Sequence, residues 1–319
     1  MRQSGLSVLL FLCLSFSFEA QSQKIFFSDN YANYRWKGDS LFRLKNFEQA
    51  LAFYKKALSE PSKERFKRYC YYNSFICNAN LKKSKEAYFF YKKGVRKGLR
   101  YYSKEAFEMD TLLYEFRSNK GWCRVKKRVF KNISKYSKID TATLNILNIC
   151  YKRDQFWRDR SNNHIESLKE KYSPESIDSL IYHQMAKSDI ENQKSLKKIF
   201  ERKEWVGLKE VGNDGDQAAW LIVQHADNDL VFQEFCLKLI EKAIIKDNTR
   251  LISYPYLIDR ILINKDLKQI YGTQFEEVII NGKKKIKAKP LENENFVDKY
   301  RNCFGLESIS DYLQYASKR

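Results

Sequence analysis

Hydrophobic and polar residues recur with the period of an α-helix along most of the chain. Between about 30 and 130 the apolar positions form pairs of helix-length segments. From about 151 to 203 they form one long helical pattern, which breaks near residues 173–174. The chain is therefore predicted to be mainly α-helical, with further helices over about 217–226, 230–246, 251–264, 294–303 and 307–317.

Two segments depart from this helical period. Residues 138–150 indicate a connecting segment with a short helix. Residues 274–290 alternate between apolar and polar positions around Asn281-Gly282, a dipeptide that favours a tight turn between two strands. We therefore predict one β-hairpin near the C-terminus.

The first predicted helical pair carries small, aromatic and turn residues at regular spacing: Gly38, Phe47, Ala50, Tyr54, Ala57 and Pro61. Small residues allow two helices to approach closely, aromatic residues fill the groove between them, and proline ends the second helix. Ala87, Tyr91 and Gly94 repeat part of this pattern 37 residues later. A longer turn between the helices of the second pair is expected to accommodate the extra length.

This spacing resembles the tetratricopeptide repeat, whose usual period is 34 residues. Residues 95–130 are similar to the degenerate unit that often closes such arrays. The resemblance implies a short solenoid with a concave surface that holds a peptide or protein. The alternative is that these repeats only brace the C-terminal domain.

The first residues have the pattern of a secretory signal peptide. Arg2 precedes an apolar stretch of 13 residues (6–18), which is too short to cross a bilayer core of about 30 Å. Ala20-Gln21-Ser22 then predicts cleavage before Gln23, and no other segment is predicted to cross a membrane. We expect a signal peptide over 1–22, helical repeats over 23–135, a helical domain over 136–319, and a mature protein that is periplasmic or extracellular.

The net charge and the cysteine and histidine content limit the partners, metals and cofactors that the sequence predicts. The chain carries 59 Lys and Arg against 39 Asp and Glu, a net charge of +20, without a run of five basic residues. This charge fits either an anionic partner or a general enrichment in lysine, and we expect no nucleic-acid binding. Six cysteines follow the signal peptide without a CxxC motif, and the chain has three histidines. The sequence therefore predicts buried free thiols, no metal site and no cofactor.

The helix predicted over 217–226 is apolar almost all round, which is typical of a buried helix. Gln217, Gln224 and His225 nevertheless fall on one narrow stripe of it. Buried polar groups must find partners or face a cavity. Asp259-Arg260 interrupts another apolar helix, and a polar loop follows. The predicted ligand-binding residues are Gln217, Gln224, His225, Asp227, Arg260, Tyr271 and Gln274.

Several short blocks in the C-terminal half resemble a bacterial family of uncharacterised domains over roughly 150–319. The resemblance implies a shared fold and site, and it implies no activity. The blocks are Asp154-Gln155 with Arg158, Asp214-Gly215, Gln217 to Leu221, Gln224 to Asp227, Phe232-Gln233, Tyr256-Leu257, Asp259-Arg260 and Tyr271 to Phe275.

Three functional hypotheses follow. The first is an exported module of the cell envelope that binds a protein or peptide partner. The second is a hydrolase of an envelope polymer or peptide, with His225 as general base oriented by Asp227 or Asp259, and with Tyr271 and Arg260 binding an anionic group. The third is a buried polar network that only fixes the packing of helices.

Overall fold

A computed structural model describes residues 25–99, 104–135, 138–159, 163–202, 204–280 and 283–317. Its described residues form fourteen α-helices and one two-stranded antiparallel hairpin at 275–288. The predicted mainly α fold with one hairpin near the C-terminus is confirmed. The chain divides into unit 1, Met1–Ile133, and unit 2, Ser134–Arg319.

Two of the sequence predictions fall outside the described residues: the signal peptide over 1–22 and the turn at Asn281-Gly282. In the part of the chain that the structure describes, no helix has the length and hydrophobicity needed to cross a membrane.

Unit 1 consists of successive helices joined by short connections, each packed against the next in its first four members. A 3-10 helix over Thr111–Phe116 separates the last two α-helices. The helices are α1 (Asp29–Arg43), α2 (Phe47–Ser59), α3 (Glu64–Asn80), α4 (Ser84–Arg96), α5 (Lys104–Glu108) and α6 (Trp122–Ser134).

Gly38 and Tyr54 have the packing roles that their spacing predicts. A Cβ atom on Gly38 would lie only 2.8 Å from the ring of Tyr54, so α1 and α2 can approach this closely because residue 38 lacks a side chain. The Tyr54 hydroxyl donates to Asp39 Oδ1 at 2.6 Å, and Asn73 Nδ2 donates to both at 3.1 Å. One partly buried hydrogen-bond network thus links α1, α2 and α3.

The two helical pairs of unit 1 differ in helix length rather than in their turns. Both turns have three residues, and Lys45 and Lys82 adopt the same left-handed conformation in them, with φ of 59° and 58°. The expected longer second turn is therefore not present. Part of the extra length lies in α3, which has 17 residues where α1 has 15.

The long helical pattern predicted over about 151–203 is divided in unit 2 into three helices rather than two, and one of the divisions lies at the expected point near 173–174. Ser173 accepts a hydrogen bond from the Ser176 amide and caps a helix whose first residue is Pro174. The connecting segment expected over 138–150 is instead mostly helical. The helices are α7 (Thr141–Arg158), α8 (Asn163–Lys169), α9 (Pro174–Ile199), α10 (Gly212–Gln224), α11 (Leu230–Ile245), α12 (Ser253–Asn264), α13 (Val297–Phe304) and α14 (Ile309–Ala316), with a 3-10 helix over Phe200–Arg202.

Helix α10 lies at the centre of unit 2. It packs against α7, α9, α11 and α12, and Ala218, Ala219 and Val223 on it are buried. Strands β1 (Phe275–Ile280) and β2 (Lys283–Ala288) pair with Phe275 opposite Ala288, and β2 contacts α14. Cys70, Cys77, Cys150 and Cys236 are buried free thiols, Cys123 is an exposed one, and Cys303 is buried.

Glu241 on α11 offers a test of the electrostatics of unit 2. It is partly buried and has no hydrogen-bond partner among the described residues, and burial raises its pKa to about 7. Between about pH 4 and 7 the native state therefore binds more protons than the unfolded chain, and this group lowers the free energy of unfolding as pH rises.

We expect Glu241→Gln to raise the free energy of unfolding by about 2 kcal/mol at pH 8 and to change it little at pH 4. Urea denaturation at both pH values measures this. The control is Glu234→Gln on the same helix, which loses an ion pair with Lys265 and should bring no gain at pH 8. Equal stability of Glu241→Gln and the wild type at pH 8 contradicts the prediction.

Candidate functional site

The polar residues predicted from the sequence do not converge on one pocket. Asp227 and Arg260 pair with each other, but His225, Asp259 and Gln217 each belong to a separate hydrogen-bonded cluster within unit 2. Most of the predicted set is therefore engaged in contacts between elements of the fold.

His225 forms the cluster that has chemical potential. It follows the last residue of α10, and its Nδ1 lies 2.7 Å from Oδ1 of Asp154 on α7. The Asp154 side chain is fully buried, while 17% of the His225 side chain is exposed. Gln155 Nε2 donates to the other oxygen of Asp154 at 2.7 Å. The histidine is thus held by a buried carboxylate at the edge of the fold.

Arg158 extends this cluster to a second carboxylate. Its Nη1 donates to Asp154 Oδ1 at 3.0 Å, and its Nη2 lies 2.9 Å from both oxygens of Asp189 on α9. Burial raises the pKa of Asp189, although the charge of Arg158 acts in the opposite direction. The guanidinium therefore joins α7 and α9 beneath His225.

Asn228 and Asp229, which follow His225, are attached to two further helices. Asn228 accepts from Gln193 Nε2 at 2.6 Å, and Asp229 accepts from Lys197 at 2.7 Å, both on α9. Asp229 also accepts the Phe232 amide and caps α11 as its position predicts. These contacts fix the segment that carries His225.

Asp227 is directed away from His225 and pairs with Arg260. Arg260 Nε and Nη2 donate to its two oxygens at 2.7 and 2.5 Å, and Asn264 Nδ2 donates at 3.0 Å. Burial acts to raise the pKa of Asp227, but the hydrogen bonds and charge of Arg260 outweigh it and the pKa lies below its ordinary value. This pair joins the α10–α11 turn to α12.

Asp259 serves as an acceptor for a loop rather than as a partner for His225. Its buried carboxylate accepts the amide hydrogens of Ile270, Tyr271 and Thr273 and the hydroxyl of Thr273, at 2.9 to 3.2 Å. Burial raises the pKa of Asp259 to about 6 against these donors. The expected orientation of His225 by Asp227 or Asp259 is replaced by its bond to Asp154.

The other predicted ligand-binding residues are buried or hydrogen-bonded to other residues of the fold. Tyr271 is fully buried among Tyr254, Tyr300 and Phe304. Gln274 donates to Thr273 Oγ1. Gln217 accepts from Arg250, and the Gln224 side chain is buried.

Asp154, Asp189 and His225 also form a set of possible metal ligands, since one atom of each lies within 4.8 Å of the others. The Arg158 guanidinium, however, binds both carboxylates. A cation placed between these side chains would meet its positive charge and would have to displace it. The arrangement therefore suits proton transfer better than metal binding.

From the sequence, Asp154 and Arg158 were named only as part of the family resemblance, and Asp189 was not identified as a candidate site residue. Asp154 and Arg158 are one helical turn apart, which is a signal for an ion pair on one helix face. Asp189 lies 31 residues further along on another helix, and no local pattern singles it out.

The fold and site define a helical protein with a partly exposed histidine held by a buried aspartate that also binds an arginine. Residues 172–318 match the model of a family of unknown function, DUF6624. The match includes Asp189, His225, Asp227 and Asp259, whereas Asp154 and Arg158 precede it. No curated protein and no solved structure matches the chain.

Proposed function

We propose that this chain is an exported hydrolase of the cell envelope in which His225 acts as general base on a polymer or peptide. The hydrogen bond between His225 Nδ1 and Asp154 carries this proposal. A carboxylate accepts hydrogen bonds, so Nδ1 bears the hydrogen and Nε2 bears the lone pair. No described residue is hydrogen-bonded to Nε2, and the side chain reaches solvent.

The cluster around His225 combines two carboxylates with one guanidinium. Asp154 and Asp189 contribute two negative charges and Arg158 one positive charge, so a protonated His225 would leave the cluster neutral. An imidazolium beside Asp154 would be stabilised in the way an aspartate stabilises a catalytic histidine. No described serine or cysteine is hydrogen-bonded to His225, so the group that it activates would be a water molecule.

The experiment incubates the purified mature chain with isolated peptidoglycan and with a defined peptide mixture. Mass spectrometry then follows the release of soluble products. We expect His225→Gln to lower the rate by about 10²- to 10⁴-fold, the usual contribution of a general base. Added imidazole should restore part of the activity of His225→Ala.

The matched control is His183→Gln, because His183 is an exposed histidine on α9. This variant should retain the wild-type rate. Equal rates for the wild type, His225→Gln and His183→Gln would show that His225 is not the base.

A second candidate function is the binding of a protein or peptide by unit 1, as its resemblance to tetratricopeptide repeats suggests. One observation supports it. The partly exposed ring of Tyr69 on α3 has the guanidinium groups of Arg35 and Arg68 each 5.4 Å from its centre. Aromatic rings with arginine neighbours are frequent anchors of protein interfaces.

A pull-down from envelope extract tests this second function. The mature chain should enrich one partner reproducibly, and Tyr69→Ala should lose it. The control is Tyr182→Ala in unit 2, which removes another exposed tyrosine and should retain the partner. Retention by both variants would exclude Tyr69 as the anchor.

A further inference from the structure

A basic cleft lies within unit 1, apart from the His225 site. It has a volume of about 380 Å³ and is lined by α4, by the residues before α6 and by the first half of α6. Tyr88, Val95, Gly121 and Val125 form part of its wall. The rest of the lining consists of five basic residues: Lys92, Arg96, Lys120, Arg124 and Arg128.

No carboxylate lines this cleft, and no described residue forms an ion pair with any of the five basic side chains. Two lysines close to them in the sequence, one directly after α4 and one on α6, behave differently. Lys97 pairs with Glu64 at 3.0 Å, and Lys126 pairs with Glu108 at 2.5 Å. The acidic residues nearby thus neutralise lysines outside the cleft, and like charges remain together inside it.

Tyr88 adds an unsatisfied donor to the same cleft. Its side chain is buried, with 8% of the residue exposed, and its hydroxyl has no hydrogen-bond partner among the described residues. Buried hydroxyl groups normally have a partner, so an orphan in a cleft wall calls for one from a ligand. The Tyr88 ring is covered by Lys92 Nζ, 4.5 Å from its centre, and by the stacked ring of Phe116.

We propose that this cleft binds the phosphate or pyrophosphate group of a ligand. Arginine guanidinium groups match the oxygen atoms of phosphate in two-point contacts, and three arginines line this one cleft. Because the Tyr88 hydroxyl is covered in the structure, it would donate to a phosphate oxygen after its side chain turns toward the cleft. The ring of Tyr88 already stacks with Phe116 and has Lys92 Nζ over it, so the phosphate rather than a base is the part of the ligand that we assign to this cleft. The volume fits a small phosphorylated group.

The test uses inorganic pyrophosphate as the probe, with isothermal titration calorimetry on the full mature chain at 0.15 M salt. We expect one site per chain. The variant Arg96→Gln/Arg124→Gln removes one arginine from α4 and one from α6, and it should bind at least tenfold more weakly. The control Lys93→Gln/Lys127→Gln removes one charge from each of the same helices outside the cleft lining, and it should bind as the wild type does.

The variant Tyr88→Phe tests whether the Tyr88 hydroxyl contacts the ligand or stabilises the fold. Without pyrophosphate this variant should melt at the wild-type temperature or above it, because the hydroxyl has no partner to lose. With pyrophosphate it should show a smaller rise in melting temperature than the wild type. A fall in melting temperature without ligand, with an unchanged ligand effect, would assign the hydroxyl to the fold and remove it from the proposal.

A binding experiment with lipid vesicles distinguishes the phosphate of a lipid headgroup from that of a soluble ligand. Sedimentation with vesicles that contain phosphatidic acid should depend on Arg96 and Arg124 and be competed by pyrophosphate if the source is a lipid headgroup. An absence of vesicle binding, with pyrophosphate binding retained, indicates a soluble phosphate. The proposal is overturned if pyrophosphate does not bind, if citrate binds as tightly, or if both double variants weaken binding equally.

Discussion

Asp259→Ala is expected to lower the free energy of unfolding of unit 2 by about 4 kcal/mol. The carboxylate is fully buried and accepts the amide hydrogens of Ile270, Tyr271 and Thr273. Alanine would leave these three amides buried without an acceptor, and each such loss costs about 1–3 kcal/mol. Urea denaturation measures the total, and hydrogen exchange of residues 270–273 shows whether the loop opens first.

The matched control for this change is Glu294→Ala. Glu294 is an exposed carboxylate of unit 2, and its removal should alter the stability by less than about 0.5 kcal/mol. If Asp259→Ala is as stable as Glu294→Ala, the loop does not depend on Asp259.

Arg301 holds the same loop from the opposite side and provides a second test of this interpretation. Its buried guanidinium donates to the carbonyl oxygens of Tyr271 and Gly272, at 2.6 and 3.3 Å. Asp259 therefore satisfies the amides of the loop and Arg301 its carbonyls. Since both act on one segment, Arg301→Ala and Asp259→Ala should not be additive, and the double variant should differ from the sum by about 0.5–3 kcal/mol.

Local signals in the sequence were sufficient for much of the fold. Ser173 before Pro174 and Asp229 before an apolar helix are caps whose hydrogen bonds involve residues only three positions away. Gly38 and Tyr54 lie in adjacent helices of one pair, so their contact could be predicted from their spacing in the sequence. The extra residues of the second helical pair were assigned to its turn, whereas part of this length lies in α3. An insertion in a helix and an insertion in a turn change the sequence spacing equally, so the spacing does not distinguish them.

The candidate functional site depends on contacts between residues far apart in the sequence, which no local spacing predicts. His225 meets Asp154 across 71 residues, whereas the sequence instead suggested Asp227 or Asp259 as its partner. Residue 225 directly follows the last residue of α10 and 227 lies in the turn before α11, so their side chains leave in different directions and Asp227 meets Arg260. The polar stripe correctly indicated that His225 and Gln217 need partners, which are Asp154 on α7 and Arg250 in the connection before α12, whereas the buried Gln224 amide nitrogen has no hydrogen-bond partner among the described residues.

Asp154→Ala is expected to lower the free energy of unfolding by about 3 kcal/mol, in addition to removing the proposed activity. The buried carboxylate is the acceptor for His225, Arg158 and Gln155 at once. Its removal leaves His225 Nδ1 without an acceptor and Arg158 with Asp189 as its remaining acidic partner. Urea denaturation of the mature chain measures the loss.

A double-mutant cycle separates the structural role of Asp154 from its effect on His225. If the His225–Asp154 bond stabilises the fold, the cycle of Asp154→Ala and His225→Ala should give a coupling energy of about 0.5–3 kcal/mol. The activity loss should not add, because either change alone disables the pair. A coupling energy near zero, with additive losses of activity, would mean that the two residues act independently and that Asp154 does not orient the base.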